Sequence, residues 1–152
     1  MHKKGFALIE LLAVIVIVVV LLLIVFISLN PARKLAQKND EQRRNDVNAI
    51  LNAVNLYMVD TKGIVPDGIT ETVQTVSKKG ADICKQLVPT YIAALPTDPK
   101  AGVGNGNASG AAVTDCAQLT YDTGYTIMQD ANGRITVAAP NIELGKVISV
   151  TR

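Results

Sequence analysis

Glu10 is the residue whose surroundings point most directly to chemistry, because its carboxylate lies near the start of a long apolar run. The stretch 11–27 carries no polar side chain, and Lys3 and Lys4 come just before the run. A carboxylate among apolar neighbours is costly to bury unless a cation pairs with it. Glu10 therefore either reaches the polar interface, about one helical turn away, or pairs with a cation inside the apolar layer.

The chain itself can supply such a cation. If the backbone were cut between Gly5 and Phe6, the new α-amino group of Phe6 would lie about one helical turn from Glu10. The same amine of a neighbouring copy could reach Glu10 when two such helices pack side by side. A pair of this kind would fix the register of one helix against the next, and the residues alone leave this interpretation and the interfacial one open.

Serine, threonine and aspartate are plentiful in this sequence, but histidine is not. The single histidine is His2, before the apolar run, so a Ser-His-Asp or Cys-His site is not expected. The Gly-rich stretch 102–110 lacks the lysine and the following helix of a phosphate-binding loop, and its composition is that of a flexible exposed loop. We predict no catalytic residue, no cofactor and no metal site, and hence no enzyme.

The aspartates of the C-terminal half leave one alternative open. The sequence Asp-Ala-Asn-Gly from Asp130 to Gly133 resembles the start of a calcium loop but lacks the later glutamate, so we favour a plain hairpin turn there. Whether Asp115, Asp122 and Asp130 converge on a cation is not decided by the sequence.

Cys84 and Cys116 are the two cysteines, and they form no metal-type spacing with a histidine. They are either two free thiols or one disulfide. Because the N-terminal run anchors the chain and the C-terminal part is expected to be exported, we predict a disulfide between them.

The element that must hold Glu10 is an apolar helix. Residues 6–30 are long enough to span a bilayer, which needs about 20 apolar residues. The lysines before the run place that end on the cytoplasmic side and send the remainder outward. A secretory signal peptide is the alternative, but its apolar core is shorter and segment 28–32 is a poor cleavage site. We therefore predict a transmembrane helix.

A second helical segment, 31–60, follows the anchor. Pro31 removes a backbone hydrogen bond and clashes with the preceding turn, so a kink or local break is expected there. Its first half is charged, which we interpret as a solvated helix face. These charged residues are Arg33, Lys34, Lys38, Asp40, Glu41, Arg43, Arg44 and Asp46.

The second half of this segment carries an apolar stripe with helical period, which must face a partner layer. The stripe consists of Val47, Ile50, Leu51, Val54, Tyr57 and Met58. Gly63 and Pro66 are expected to end the helix. After them, Thr70–Val76 is a strand or a turn, and Asp82–Leu87 is a short helix capped by Ser77 or Asp82.

The last part of the chain predicts a small antiparallel sheet of three or four strands. The strands are expected at Gln118–Asp122, Tyr125–Gln129, Ile135–Ala138 and Val147–Thr151. Thr123-Gly124 separates the first two, and Asn132-Gly133 is a strong hairpin signal between the next two. One apolar face of this sheet would cover the stripe of the second helical segment, which makes the predicted fold class α+β.

Composition and charge set two further limits. The chain has 15 Lys and Arg against 13 Asp and Glu, and Lys3 and Lys4 account for the excess. A broad basic surface for nucleic acid is therefore not predicted. With no Trp and two Phe, the core must be small and built from aliphatic residues and Tyr.

The segment from Lys3 to Leu12, Lys-Lys-Gly-Phe-Ala-Leu-Ile-Glu-Leu-Leu, resembles the prepilin leader of the type IV pilin family. That family includes pilus subunits and the pseudopilins of type II secretion. The resemblance implies that a membrane peptidase cuts after Gly5 and methylates the amine of Phe6. It also implies that the Glu10 carboxylate pairs with this amine in a helical filament. It also implies that Pro31 corresponds to the helix-weakening proline of the family.

Weaker similarities continue along the chain. Tyr57, Gly63 and Pro66 look like the Tyr…Gly…Pro passage where the long helix of the family ends. Leu95-Pro96-Thr97-Asp98-Pro99 looks like the Leu-Pro-x-Asp-Pro turn of major pseudopilins, although Lys100-Ala101-Gly102 replaces the usual aromatic-Gly. Family members often carry a cysteine pair nearer the C-terminus than Cys84 and Cys116.

The sequence thus predicts a leader at residues 1–5, a transmembrane and assembly helix at 6–30, an amphipathic half-helix at 31–60 and a small globular head at 61–152. The expected function is that of a subunit of a homo-oligomeric type IV pilus-like filament. A major pseudopilin of type II secretion and a non-polymerising membrane-anchored binding domain are the alternatives. The expected partners are the prepilin peptidase, the pilus or secretion assembly machinery and the membrane. The precursor is expected in the bacterial inner membrane with one span, and the filament outside it.

Overall fold

The computed structural model describes residues 4–104, 110–117 and 120–152. The chain forms two compact units, Met1–Leu35 and Ala36–Arg152. In chain order the elements are α1 (Lys4–Leu29), α2 (Pro31–Asp60), β1 (Gln74–Ser77), α3 (Cys84–Leu87), β2 (Asp122–Gln129), β3 (Ile135–Ala139) and β4 (Ile148–Thr151).

Asn30 separates α1 from α2. Its backbone has a φ of 33°, and Pro31 is the first residue of α2. Proline suits this position because the first helical amide has no intrahelical partner. The Asn30 side-chain oxygen accepts a hydrogen bond from the Arg33 amide at 3.3 Å, which is the usual contact of a capping residue. A helix start is therefore built into the sequence Asn30-Pro31.

The apolar stripe of α2 packs into the core, as the sequence predicts. Val47, Ile50 and Val54 have no exposed surface, and Tyr57 and Met58 pack against the same core. The helix ends at Asp60. Lys62 adopts a left-handed conformation, and the amide of Gly63 donates to the Met58 carbonyl at 2.7 Å, the hydrogen bond of a Schellman ending.

The second layer is a four-stranded antiparallel sheet in the order β1-β2-β3-β4. Tyr125 and Ile127 of β2 and Val137 of β3 alternate with less buried residues and join the α2 stripe in one core. The α+β prediction and the hairpin between β2 and β3 are thus confirmed.

The predicted separation of two strands at Thr123-Gly124 is wrong, because both residues lie inside β2. Gly124 has a φ of 75°, and a side-chain carbon at this position would lie 2.9 Å from the Cβ of Asp98. Glycine is thus required by the close approach of the Asp98 turn and not by a chain reversal. The predicted strand Gln118–Asp122 includes residues 118 and 119, which lie outside the described residues, and β2 begins at its last residue.

Two local predictions before β2 also need correction. The short helix begins at Cys84 without a side-chain cap. The Asp82 carboxylate instead accepts hydrogen bonds from Lys78 and Tyr121, and Ser77 belongs to β1. In the predicted exposed loop 102–110, residues 105–109 lie outside the described part of the chain, whereas Gly102 and Gly104 are buried.

Candidate functional site

Helix α1 presents an apolar surface with no protein covering it. Every side chain that the structure describes from Ala7 to Ile27 is exposed, and the large apolar ones keep between 47% of their surface at Val18 and 79% at Ile27. By length and composition this helix can cross a membrane. In water such a surface is unfavourable, so α1 requires lipid or other helices around it.

Glu10 is an exposed residue on this apolar helix. Among the residues that the structure describes, none donates a hydrogen bond to its carboxylate or forms an ion pair with it. Phe6 also belongs to α1 and precedes Glu10 by four residues, a rise of about 6 Å along the helix. The structure therefore brings the Gly5-Phe6 bond and Glu10 within about one turn of each other.

A second polar feature lies in the Ala36–Arg152 unit and is centred on Arg43, whose side chain has no exposed surface. Its Nε donates to Asp98 Oδ2 at 2.6 Å and its Nη2 donates to Asp98 Oδ1 at 3.1 Å. Its Nη1 donates to Asp40 at 2.8 Å and to Glu143 at 3.0 Å. We call these four residues the Arg43 cluster.

The Arg43 cluster connects three separate parts of the chain. Asp98 also accepts the amides of Lys100 and Ala101, which holds the turn 95–99. Asp40 on α2 accepts the amides of Glu143 and Leu144 at 3.1 and 3.0 Å. These bonds fix the turn and the segment between β3 and β4 onto the first half of α2.

The prediction of a solvated charged face on α2 is wrong for this part of the helix. Arg43 precedes Val47 by four residues and Ile50 by seven, so it lies on the buried stripe. Extending that stripe backward would have identified Arg43 from the sequence. No comparable signal marks Glu143, because its position in the cluster depends on how a loop folds back onto the helix.

Electrostatics in the cluster favour the charged forms of all three carboxylates. Burial alone would raise the pKa of Asp98, but the Arg43 guanidinium and two backbone amides hold that pKa below its ordinary value. The pKa of Asp40 is lowered in the same way, because the Glu143 amide and Arg43 outweigh its burial. Lys100 and Asn39 lower the pKa of Glu143 to about 2.

Two tyrosine–aspartate pairs add to this internal polar network. Tyr125 on β2 donates to Asp46 on α2 at 2.7 Å, and burial raises the pKa of Asp46 despite this bond. Tyr121 donates to Asp82 at 2.7 Å. Burial and the neighbouring carboxylate raise the pKa of both tyrosines, so each remains a hydrogen-bond donor over the physiological range.

Cys84 and Cys116 form a disulfide with their Cα atoms 5.5 Å apart, as the sequence predicts. The disulfide closes a loop that contains the turn 95–99. Its described regular structure consists of α3 and two isolated antiparallel bridges, Leu95 with Val113 inside the loop and Val103 with Asp122 of β2. The disulfide thus helps to hold Asp98 in place.

The three aspartates considered for a cation do not converge. Asp122 begins β2, whereas Asp130 follows its end, which separates them by roughly 25 Å of extended strand. Asp130 instead binds its own turn: it accepts the amides of Asn132 and Arg134 at 2.9 Å and pairs with the Arg134 side chain. The sequence from Asp130 to Gly133 is therefore the hairpin turn that we favoured over a calcium loop.

An apolar helix, α1, that is followed by an α+β unit fits a membrane-anchored precursor. Residues 1–26 match the family model described as the prokaryotic N-terminal methylation motif, the leader signature of type IV pilins and pseudopilins. No curated protein and no solved structure matches the chain significantly. The matching family is structural and generally non-enzymatic, and its leader motif implies a prepilin peptidase and an assembly machinery.

Proposed function

We propose that the chain is a structural subunit that polymerises into a type IV pilus-like filament after prepilin peptidase cuts between Gly5 and Phe6 and methylates Phe6. The observation that carries the proposal is the position of Glu10, a carboxylate with no partner among the described residues, on a helix whose described apolar side chains are exposed. A membrane anchor alone needs no acid there. A subunit that must stack in register uses it to bind the new amine of a neighbouring copy.

Each part of the chain then has a role in assembly. Residues 1–5 are the leader, 6–30 the transmembrane and assembly helix, 31–60 the amphipathic half-helix and 61–152 the head. The precursor spans the bacterial inner membrane once, and the head lies outside the cytoplasm. In the filament, α1 helices of many copies cover one another and replace the lipid.

Intact mass spectrometry of the protein, made in a host that has its own prepilin peptidase, tests this proposal. We expect a mature chain that begins at Phe6 and carries one methyl group. The same chain made in a host without the peptidase is the control and should keep its leader. A chain that still begins at Met1 in the first host would contradict filament assembly and favour a membrane-anchored binding domain.

A second candidate function is that of a major pseudopilin of type II secretion. It is supported by the Leu-Pro-x-Asp-Pro turn at Leu95–Pro99, whose Asp98 binds Arg43. The Gly-rich stretch 102–110 and the cysteine pair support a surface pilus instead. The genes next to this one would distinguish the pilus subunit from the pseudopilin. A gene for a retraction motor would favour a pilus, whereas a gene for an outer-membrane secretin alone would not distinguish the two functions.

A further inference from the structure

We propose that Arg33 and Lys34, in the first turn of α2, bind the phosphate groups of anionic phospholipids at the membrane surface. We call these two residues the basic pair. The inference requires that α1 spans a membrane, for which its length and composition suffice. It does not depend on cleavage of the leader or on filament assembly, so it stands apart from the proposed function.

The basic pair carries charge that no described carboxylate neutralises. Both side chains are exposed, and among the residues that the structure describes none forms an ion pair or a side-chain hydrogen bond with either of them. No Asp or Glu occurs in the sequence between Glu10 and Asp40. Arg43, by contrast, is buried against three carboxylates. The two charges of the basic pair are therefore available to an anion outside the chain.

The distance of the basic pair from the apolar run corresponds to the headgroup layer of a bilayer. Both residues belong to the compact unit Met1–Leu35, which contains α1. Arg33 follows Ile27, the last apolar side chain described on α1, by six residues, which is at most about 9 Å along a helix axis. The polar layer on each side of a bilayer is roughly 5–8 Å thick, and long basic side chains extend their charged ends into it. A chain anchored by α1 thus keeps the basic pair beside lipid phosphates.

Helix stability does not account for the basic pair. The positive end of the helix macrodipole lies at the first turn of α2, where acidic side chains stabilise a helix and basic ones destabilise it, yet this turn contains no acidic residue. The backbone does not form the site either, because the amides of Arg33 and Lys34 both donate to the Asn30 carbonyl, at 3.1 and 3.3 Å. Phosphate bound by the two side chains would supply the negative charge that this turn lacks.

The basic pair should distinguish anionic from zwitterionic lipids. A guanidinium binds two phosphate oxygens at once, and a lysine ammonium adds a compact second charge. Near an anionic membrane each basic residue raises the affinity roughly fivefold, whereas the choline cation of a zwitterionic headgroup offsets the charge of its phosphate. We therefore expect phosphatidylglycerol to be enriched at least about tenfold over phosphatidylcholine beside the basic pair.

Site-specific photo-crosslinking of the full chain to lipid tests the inference. A photoreactive amino acid replaces Ala32, an exposed neighbour of the basic pair, and the chain is inserted into nanodiscs with equal amounts of phosphatidylglycerol and phosphatidylcholine. Mass spectrometry of the adducts gives the lipid ratio at this position alone. We expect about ten times more adducts with phosphatidylglycerol. The ratio should be the same in inorganic phosphate as in chloride at equal ionic strength, because the lipid and not a free anion is the partner.

Charge variants of the same chain supply the controls. Arg33→Gln with Lys34→Gln should bring the lipid ratio close to one, while Arg33→Lys with Lys34→Arg should keep it. Lys79→Gln with Lys85→Gln removes two exposed cations of the other unit and should leave the ratio unchanged. Adducts with another copy of the chain in place of lipid, loss of the preference in phosphate, or equal ratios for the pair and control variants would overturn the inference. None of these outcomes bears on the leader cleavage that tests the proposed function.

Discussion

Arg43 shows how a buried charge is tolerated at the scale of one residue. Its guanidinium has no exposed surface, and each of its donor nitrogens faces a carboxylate within 3.1 Å. A planar fork of donors suits this arrangement, and lysine would leave part of it unpaired. The cluster therefore depends on arginine, and removal of the cation leaves the buried carboxylates without their counter-ion.

Arg43→Met should lower the free energy of unfolding of the Ala36–Arg152 unit by about 3–5 kcal/mol, because Asp98 and Asp40 lose their counter-ion. All four tyrosines belong to this unit, so tyrosine fluorescence during urea unfolding of the detergent-solubilised chain reports on it. Arg44→Met, at the exposed neighbouring position, is the matched control and should change the free energy by less than about 0.5 kcal/mol. Equal losses for both variants would contradict the role of the cluster.

The three carboxylates of the Arg43 cluster should make the free energy of unfolding depend on pH. Folding lowers the pKa of Glu143 from 4.5 to about 2 and lowers those of Asp40 and Asp98. The stabilisation from Glu143 is therefore complete above about pH 4.5 and is lost as pH falls toward about 2, and the stabilisation from Asp40 and Asp98 is likewise lost as pH falls. Asp46, whose pKa is raised, acts in the opposite direction and reduces the slope. Urea unfolding at pH 7 and pH 3 should show the loss, and Glu143→Gln should reduce it; no difference between the two pH values would contradict this account.

At the scale of elements, the sequence predicts the helices and turns that depend on a local sequence pattern. The stripe from Val47 to Met58 and the Asn132-Gly133 hairpin are both found, since helical periodicity and turn chemistry act over a few residues. Local pattern predicts a separation of two strands at Gly124, but the glycine is needed because Asp98, which is distant in the sequence, lies close to its backbone. The ion pair of Glu143 with Arg43 is not predicted by the sequence for the same reason, because it depends on how a distant loop folds back onto α2.

The loop closed by the disulfide contains little helix or strand among its described residues, so the covalent link is a large part of what restricts it in the unfolded chain. Replacing Cys84 and Cys116 by serine should lower the free energy of unfolding by about 3–4 kcal/mol, the value expected for closing a loop with a sequence separation of 32. Urea unfolding by tyrosine fluorescence measures the change. Unaltered chain treated with reductant is the control and should show a similar loss, together with a mass gain of two hydrogens.

At the scale of the whole molecule, the two units have opposite requirements. The unit Ala36–Arg152 buries its apolar residues in one core, whereas the described side chains of α1 are exposed over their whole length. One chain thus combines a unit that buries its apolar residues with a helix whose exposed apolar surface is unfavourable in water. The apolar surface of α1 therefore has to be covered by lipid or by other helices.

Glu10→Val separates anchoring from assembly. The substitution removes a carboxylate from an apolar helix, so membrane insertion should be unchanged or improved. In the proposed filament it removes the partner of the Phe6 amine, and filament yield should fall at least tenfold. Membrane fractionation and electron microscopy measure the two effects, with Glu41→Val on α2 as a control for the loss of one glutamate. Normal filaments from the Glu10 variant would contradict the pairing role.

The exposed apolar surface of α1 has a thermodynamic consequence for the proposed passage from membrane to filament. Lipid tails and the side chains of neighbouring α1 helices are about equally apolar, so moving the helix from one to the other changes its hydrophobic free energy little. The partition between the two environments is then governed by the few polar groups that distinguish them. Glu10 and the Phe6 amine, a very small part of the surface of α1, would set the direction of the transfer.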